Sequence, residues 1–329
     1  MERNAPGDAI HLAPRRVAEA TRAPAPVRAA RHGRRGSLVD RRRRSGMLLT
    51  LPALLTLAAT ALYPLLWTMS LSFQSFSLAV GGEEPAFAGL ANYERVLGDA
   101  AFWTAIGQTV GYVTVTLTVE LLVGLPIALV LHRETRGRKV LRLVVALPLM
   151  IAPVVAAMAG KFLFSPGYGL VNEGLAALGI DGPAWFADPW LARAAVLSTN
   201  AWLALPFVVL VLLAGLANIP GELREAAVTD GAGRWRILWH ITLPLLRPSI
   251  LIILVIRLAD AFRVFDAVYV MTGGGPGSAT EVLSTYLYRQ MFTRTDFAGG
   301  AATSVLFVLV IGICAGAVFL SLRGRRGER

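Results

Sequence analysis

Six stretches of this 329-residue sequence are apolar for long enough to cross a lipid bilayer, which leaves very few folds open to it. They are residues 47–73, 103–131, 141–164, 191–217, 243–270 and 301–322. A helix needs about 20 such residues to span the hydrocarbon. Backbone in lipid must satisfy its own hydrogen bonds, so a spanning chain is either helical or a closed barrel. These runs lack the alternation of a barrel strand, so they read as helices. The composition, 55% hydrophobic and 16% charged, agrees. The expected fold class is an all-α polytopic membrane protein with six transmembrane helices.

Charge placement orients those helices. The net charge of +11 is concentrated in residues 1–45, which hold twelve arginines against Glu2, Asp8, Glu19 and Asp40, leaving only +3 elsewhere. The basic character therefore belongs to a tail and short loops, and no nucleic-acid partner is expected. The other basic segments are 132–139, the loop 221–244 and the C-terminal RGRRGER, whereas 74–101, 165–189 and 271–297 are acidic or neutral. Cationic loops stay in the cytoplasm, so both termini and the 221–244 loop are expected there. Residues 1–45 read as a disordered Arg-rich arm that touches anionic membrane lipid or serves only as a topology signal. Residues 46–323 form the transmembrane domain, and 324–329 a basic cytoplasmic tail.

The 221–244 loop has a helix grammar of its own. Pro220 suits a first helical turn, where its missing N–H costs nothing. Glu222 and Glu225 lie toward the positive end of the helix dipole, and Gly231 and Gly233 supply a stop. Trp235, Leu238 and His240 or Ile241 give a second amphipathic segment that can lie on the membrane surface and feed the fifth apolar run.

Charges at bilayer depth cost about 2.5–3.5 kcal/mol each on insertion scales and mark functional candidates. In the fifth run Arg257, Asp260, Arg263 and Asp266 recur every third residue, which on one continuous helix makes a single stripe. Such a stripe suits a hydrated path or a polyhydroxy ligand, or else two structural Arg–Asp pairs. Glu120, a lone carboxylate in the second run, is either a proton-coupling site or hydrogen-bonded between helices. Asn200, beside Trp202 and Pro206 in the fourth run, is placed to line a pocket. The two lysines, Lys139 and Lys161, stand in no phosphate-loop pattern. The four histidines and the lone Cys314 have no metal-ligand spacing. Neither catalytic nor metal-binding residues are expected, so any energy source that drives this protein would be another chain or an ion gradient.

Glu225-Ala226-Ala227, three residues, Gly231, nine residues, then Ile241-x-Leu243-Pro244 resembles the EAA motif of bacterial ABC importer permeases. Leu213–Pro220 and Asp260–Gly277 on either side, with LPALLTL, YPLLWTMSLSF and GLANY near the first run, resemble the carbohydrate branch, of maltose and glycerol-phosphate permease type. The resemblance covers about residues 47–322. It implies the type I ABC importer permease fold in a bacterial inner membrane, with a coupling helix at 219–241. The chain would form half of a permease, in a heterodimer with a second, similar subunit. A cytoplasmic ATPase dimer would use ATP and Mg, this chain binding no cofactor, and an extracytoplasmic solute-binding protein would deliver a sugar or oligosaccharide. Leu223, Glu225, Ala226, Ala227, Gly231, Ile241, Leu243 and Pro244 would contact or support the ATPase groove. Glycerol-phosphate, polyamine or another small solute is the alternative cargo. An ion-gradient-driven secondary transporter using Glu120 or Asp260 is the alternative class.

Overall fold

The computed structural model describes residues 50–76, 86–133 and 137–323, with side chains through 317. The arm expected at 1–45 and the tail at 324–329 lie outside the described residues. The chain divides into two compact units, Met1–Thr60 and Ala61–Arg329. The described part of the first, residues 50–60, is an exposed apolar helical segment. The second unit carries every feature treated below except the first turns of the helix Thr50–Leu71.

Among the described residues five helices are long and apolar enough to cross a membrane: α1 (Thr50–Leu71), α3 (Ala100–His132), α7 (Pro189–Ala217), α9 (Arg234–Phe262) and α12 (Phe297–Ala317, continuing to Arg323). A sixth exists if the bent pair α4 (Arg138–Met150) and α5 (Pro153–Leu163) is one broken span. Between them lie the short helices α2 (Ala91–Gly98), α6 (Leu170–Ala177), α8 (Gly221–Thr229), α10 (Asp266–Met271) and α11 (Leu283–Tyr288). A two-residue antiparallel ladder pairs β1 (Gln74–Ser75) with β2 (Ala86–Phe87).

Two apolar runs are not the straight helices their sequence predicts. The third bends by 99° between Met150 and Pro153. Pro153 has no N–H and pushes the preceding residue out of the helical region, and Ile151 and Ala152 are both extended. The fifth begins at Arg234 instead of 243 and stops at Phe262. The segment around Trp235 and Leu238 is therefore the first turns of α9, not a separate surface helix. A π-helical turn at Leu238–Thr242 precedes Pro244, opening the ladder where a proline cannot donate.

Packing is tightest where α3, α7 and α9 meet, around Ala128, Val208, Leu212, Leu246 and Ile253, each essentially inaccessible. A second cluster joins Phe102, Phe262, Leu283, Tyr286 and Ala302. A third ties α5, α7 and α10 through Ala157, Ala195, Val268 and Met271. At Gly160 of α5 a Cβ would come within 2.8 Å of Thr199 Cγ2 on α7, so only glycine permits that approach. Away from α8, Tyr286 donates to Asp99 at 2.8 Å. Burial first, and then the carboxylate, raise the Tyr286 phenol well above its ordinary pKa.

Candidate functional site

Both helix breaks open onto one cavity of about 420 Å³. The bend contributes Leu149, Ile151 and Pro153, α7 contributes Thr199, Asn200 and Phe207, and the end of α9 contributes Arg257 and Asp260. Arg263, Phe265 and Asp266 follow from the second break. Irregular backbone at membrane depth is tolerated where it lines such a space. Five of the six sequence candidates for a substrate path thus meet in one place: Asn200, Arg257, Asp260, Arg263 and Asp266. They do not form one helical stripe, because α9 ends before Arg263 and Asp266 starts α10.

The sixth candidate, Glu120, stands behind the lining. Its side chain on α3 is wholly inaccessible, and both carboxylate oxygens accept from Arg257, at 2.9 Å from Nε and 2.6 Å from a terminal nitrogen. Arg257, itself 5% exposed, also pairs with Asp260, whose side chain is 58% exposed toward the cavity. A bidentate fork fixes the guanidinium plane as well as its charge. Glu120 therefore holds Arg257, which in turn presents Asp260. Thr199 and Phe265 are not singled out by the sequence: Thr199 lies beside Asn200 on α7, and Phe265 reaches the cavity only because α9 breaks after Phe262. Among the described residues no three His, Cys, Asp or Glu side chains gather as a metal site would require.

The loop forms the second part of the site. Helix α8 starts after Pro220, which occupies the N-cap rather than the first turn. Glu222 lies in the first turn, and Glu225 one turn later. The helix stops at Gly231 as predicted: Gly231 has φ of +77°, its N–H donates to Val228, and Ala232 N–H donates back to Ala227. That is the paired Schellman closure. Gly233, expected to share in the stop, stands instead in extended backbone at the N-cap of α9. Leu223, Glu225 and Ala226 are exposed and Ala227 is half-buried, while Ile241, Leu243 and Pro244 are half-buried within α9, at and just after its π-helical turn.

Helix α9 connects the two parts. It runs without interruption for 29 residues from the end of the loop to the cavity. From Arg234 to Arg257 that is roughly 35 Å at helical rise.

Residues 120–326 match the family described as "Binding-protein-dependent transport system inner membrane component". The chain is 38% identical to the trehalose/maltose transport system permease protein MalF of Thermococcus litoralis, over 81% of this chain and 90% of that one. It is 36% identical to the trehalose transport system permease protein SugA of Mycobacterium tuberculosis, over 88% and 92%. The structure of a bacterial ABC transporter that imports the acidic polysaccharide alginate superposes with a TM-score of 0.72 at 25% identity, over 89% of this chain and 99% of that one. Another, of the alginate transporter in complex with its pentasaccharide-bound periplasmic protein, gives 0.73, over 84% and 92%. With the match spanning most of the chain, this protein belongs to the binding-protein-dependent transport system inner membrane component family, as a multi-pass membrane permease subunit rather than an enzyme.

Proposed function

We propose that this chain forms half of the translocation path of an ATP-driven importer for a neutral sugar or oligosaccharide. The observation that carries the reading is α9, one uninterrupted helix with the EAA loop at one end and two cavity charges near the other. The lining charges balance, Arg257 and Arg263 against Asp260 and Asp266. Alternating donors and acceptors without excess charge suit hydroxyl groups better than a phosphate or a polyamine. Curated relatives named for trehalose and maltose support the same class.

In this reading the chain crosses the membrane six times, with both termini and α8 in the cytoplasm. Ala226 and Ala227 let α8 approach the groove of a partner ATPase closely, and exposed Leu223 anchors it. Leu243 and Pro244 follow the π-helical turn and set the course of α9 beyond it. ATP and Mg are bound by that ATPase and no cofactor by this chain. A second permease subunit completes the path, and an external solute-binding protein delivers the cargo. Closure of the ATPases moves α8 as a rigid body, α9 transmits the motion, and the cavity opens alternately to the two sides.

Uptake by the reconstituted complex tests this directly. Proteoliposomes containing both permease subunits and the ATPase, supplied with the binding protein, should accumulate radiolabelled trehalose or maltose only with ATP inside. Accumulation driven by an ion gradient without ATP would overturn the mechanism and favour a secondary transporter.

A further inference from the structure

Beside the cavity runs a line of aromatic rings, and it begins with one of the cavity's own residues. Phe265, in the lining, stacks on Tyr269 with ring centres 5.0 Å apart and planes 14° from parallel. Tyr269 meets Tyr288 edge-on at 4.9 Å, and Tyr288 meets Phe292 at 4.9 Å. The second break, α10, α11 and the π-helical turn that follows α11 each contribute a ring. Tyr269 and Phe292 are 46% and 62% exposed.

Aromatic residues are enriched at membrane boundaries, and exposure or a single ring contact there needs no ligand: Trp190 and Trp239 are 75% and 63% exposed, and exposed Tyr63 and Trp67 stack at 6.4 Å. The Phe265–Phe292 rings differ in running on through four residues and in starting inside a charged cavity. An aromatic face is apolar and electron-rich. The axial C–H groups of a pyranose are apolar and weakly electropositive, so sugar and ring stack while the equatorial hydroxyls project sideways. Arg263 and Asp266, flanking Phe265 in the cavity lining, offer those hydroxyls a donor and an acceptor.

We propose that the face formed by Phe265, Tyr269, Tyr288 and Phe292 is a stacking track along which pyranose rings pass between the binding protein and the cavity. The proposal rests on the sugar reading given above. Successive rings about 5 Å apart offer several similar weak sites, and conduction through a path needs contacts that attract without trapping. Charge plays no part in the track itself, so it serves neutral sugars of more than one ring as readily as single ones.

The test uses the complete complex in proteoliposomes, with glucose, trehalose and maltotriose as probes. Tyr269→Leu and Phe292→Leu keep apolar bulk and remove the ring, whereas Tyr269→Phe and Phe292→Tyr keep it. Each leucine variant should assemble normally and transport the sugars accepted by wild type about 2- to 10-fold more slowly, the range expected for one aromatic contact. The ring-retaining variants should transport as wild type does. Wild-type rates in the leucine variants, or equal losses in leucine and ring-retaining variants, would overturn the track while leaving the sugar reading intact. Failure of Phe292→Leu to recover the second permease subunit would make the patch a subunit interface and overturn it too. A wild-type complex that imports none of the three sugars would overturn both readings.

Discussion

Glu120 and Arg257 are 137 residues apart in sequence, and that separation is why their pairing was not legible there. Sequence spacing reports neighbours on one helix, so Arg257–Asp260 could be foreseen and the bidentate contact to α3 could not. The pair also makes an asymmetric prediction. Removing one partner of a buried ion pair costs about 3–5 kcal/mol, chiefly by stranding the other charge. Arg257→Met strands Glu120, whose side chain is wholly inaccessible. Glu120→Gln leaves Arg257 still paired with Asp260, which reaches the open cavity. Thermal unfolding of the purified complex should therefore show the larger loss for Arg257→Met, and the double variant should recover part of it. Equal losses for the two single variants would mean that Asp260 does not share the charge.

At the scale of elements, the local signals were read well and the breaks only partly. The cap grammar of α8 depends on residues within a few positions of each other, and its glycine stop at Gly231 stands as the sequence indicates. The third apolar run contains Pro148 and Pro153, but whether a proline kinks a helix slightly or turns it by 99° depends on what packs on either side. The end of α9 at Phe262 had no proline or glycine to announce it; buried Val264 and Ala267 pull the chain into the α5–α7 cluster instead. Two variants probe these elements. Gly231→Val forces a β-branched residue into the left-handed region, at about 1–2 kcal/mol before any branching penalty. It should insert and assemble but lose ATP-driven uptake, which a transport assay on matched protein levels will reveal. Replacing exposed Ile252 and Val255 of α9 with glycine costs roughly 1 kcal/mol of helix propensity for the pair. If α9 works as a stiff connector, ATP hydrolysis should persist while sugar imported per ATP falls; an unchanged ratio would remove α9 from the transmission path.

The architecture of the whole molecule was the most legible feature, because bilayer thickness forces long apolar runs that few other folds need. The sidedness of those runs rests on loop charge, and a chain with one cysteine allows it to be checked cleanly. Cys314 lies in α12, half-buried, so Cys314→Ser provides a background without thiols. Ile180, 52% exposed before α7, and Asp230, exposed after it, are separated by that single long helix. Thr293, also exposed, precedes α12. On six crossings with cytoplasmic termini, Ile180→Cys and Thr293→Cys should react with a membrane-impermeant maleimide in intact cells or spheroplasts. Asp230→Cys should react only after the membrane is permeabilised. Labelling of Ile180→Cys and Asp230→Cys from the same face would mean that α7 does not cross. Labelling of all three with the faces exchanged would place α8 outside, where no ATPase could reach it, and the coupling role would fall with the topology.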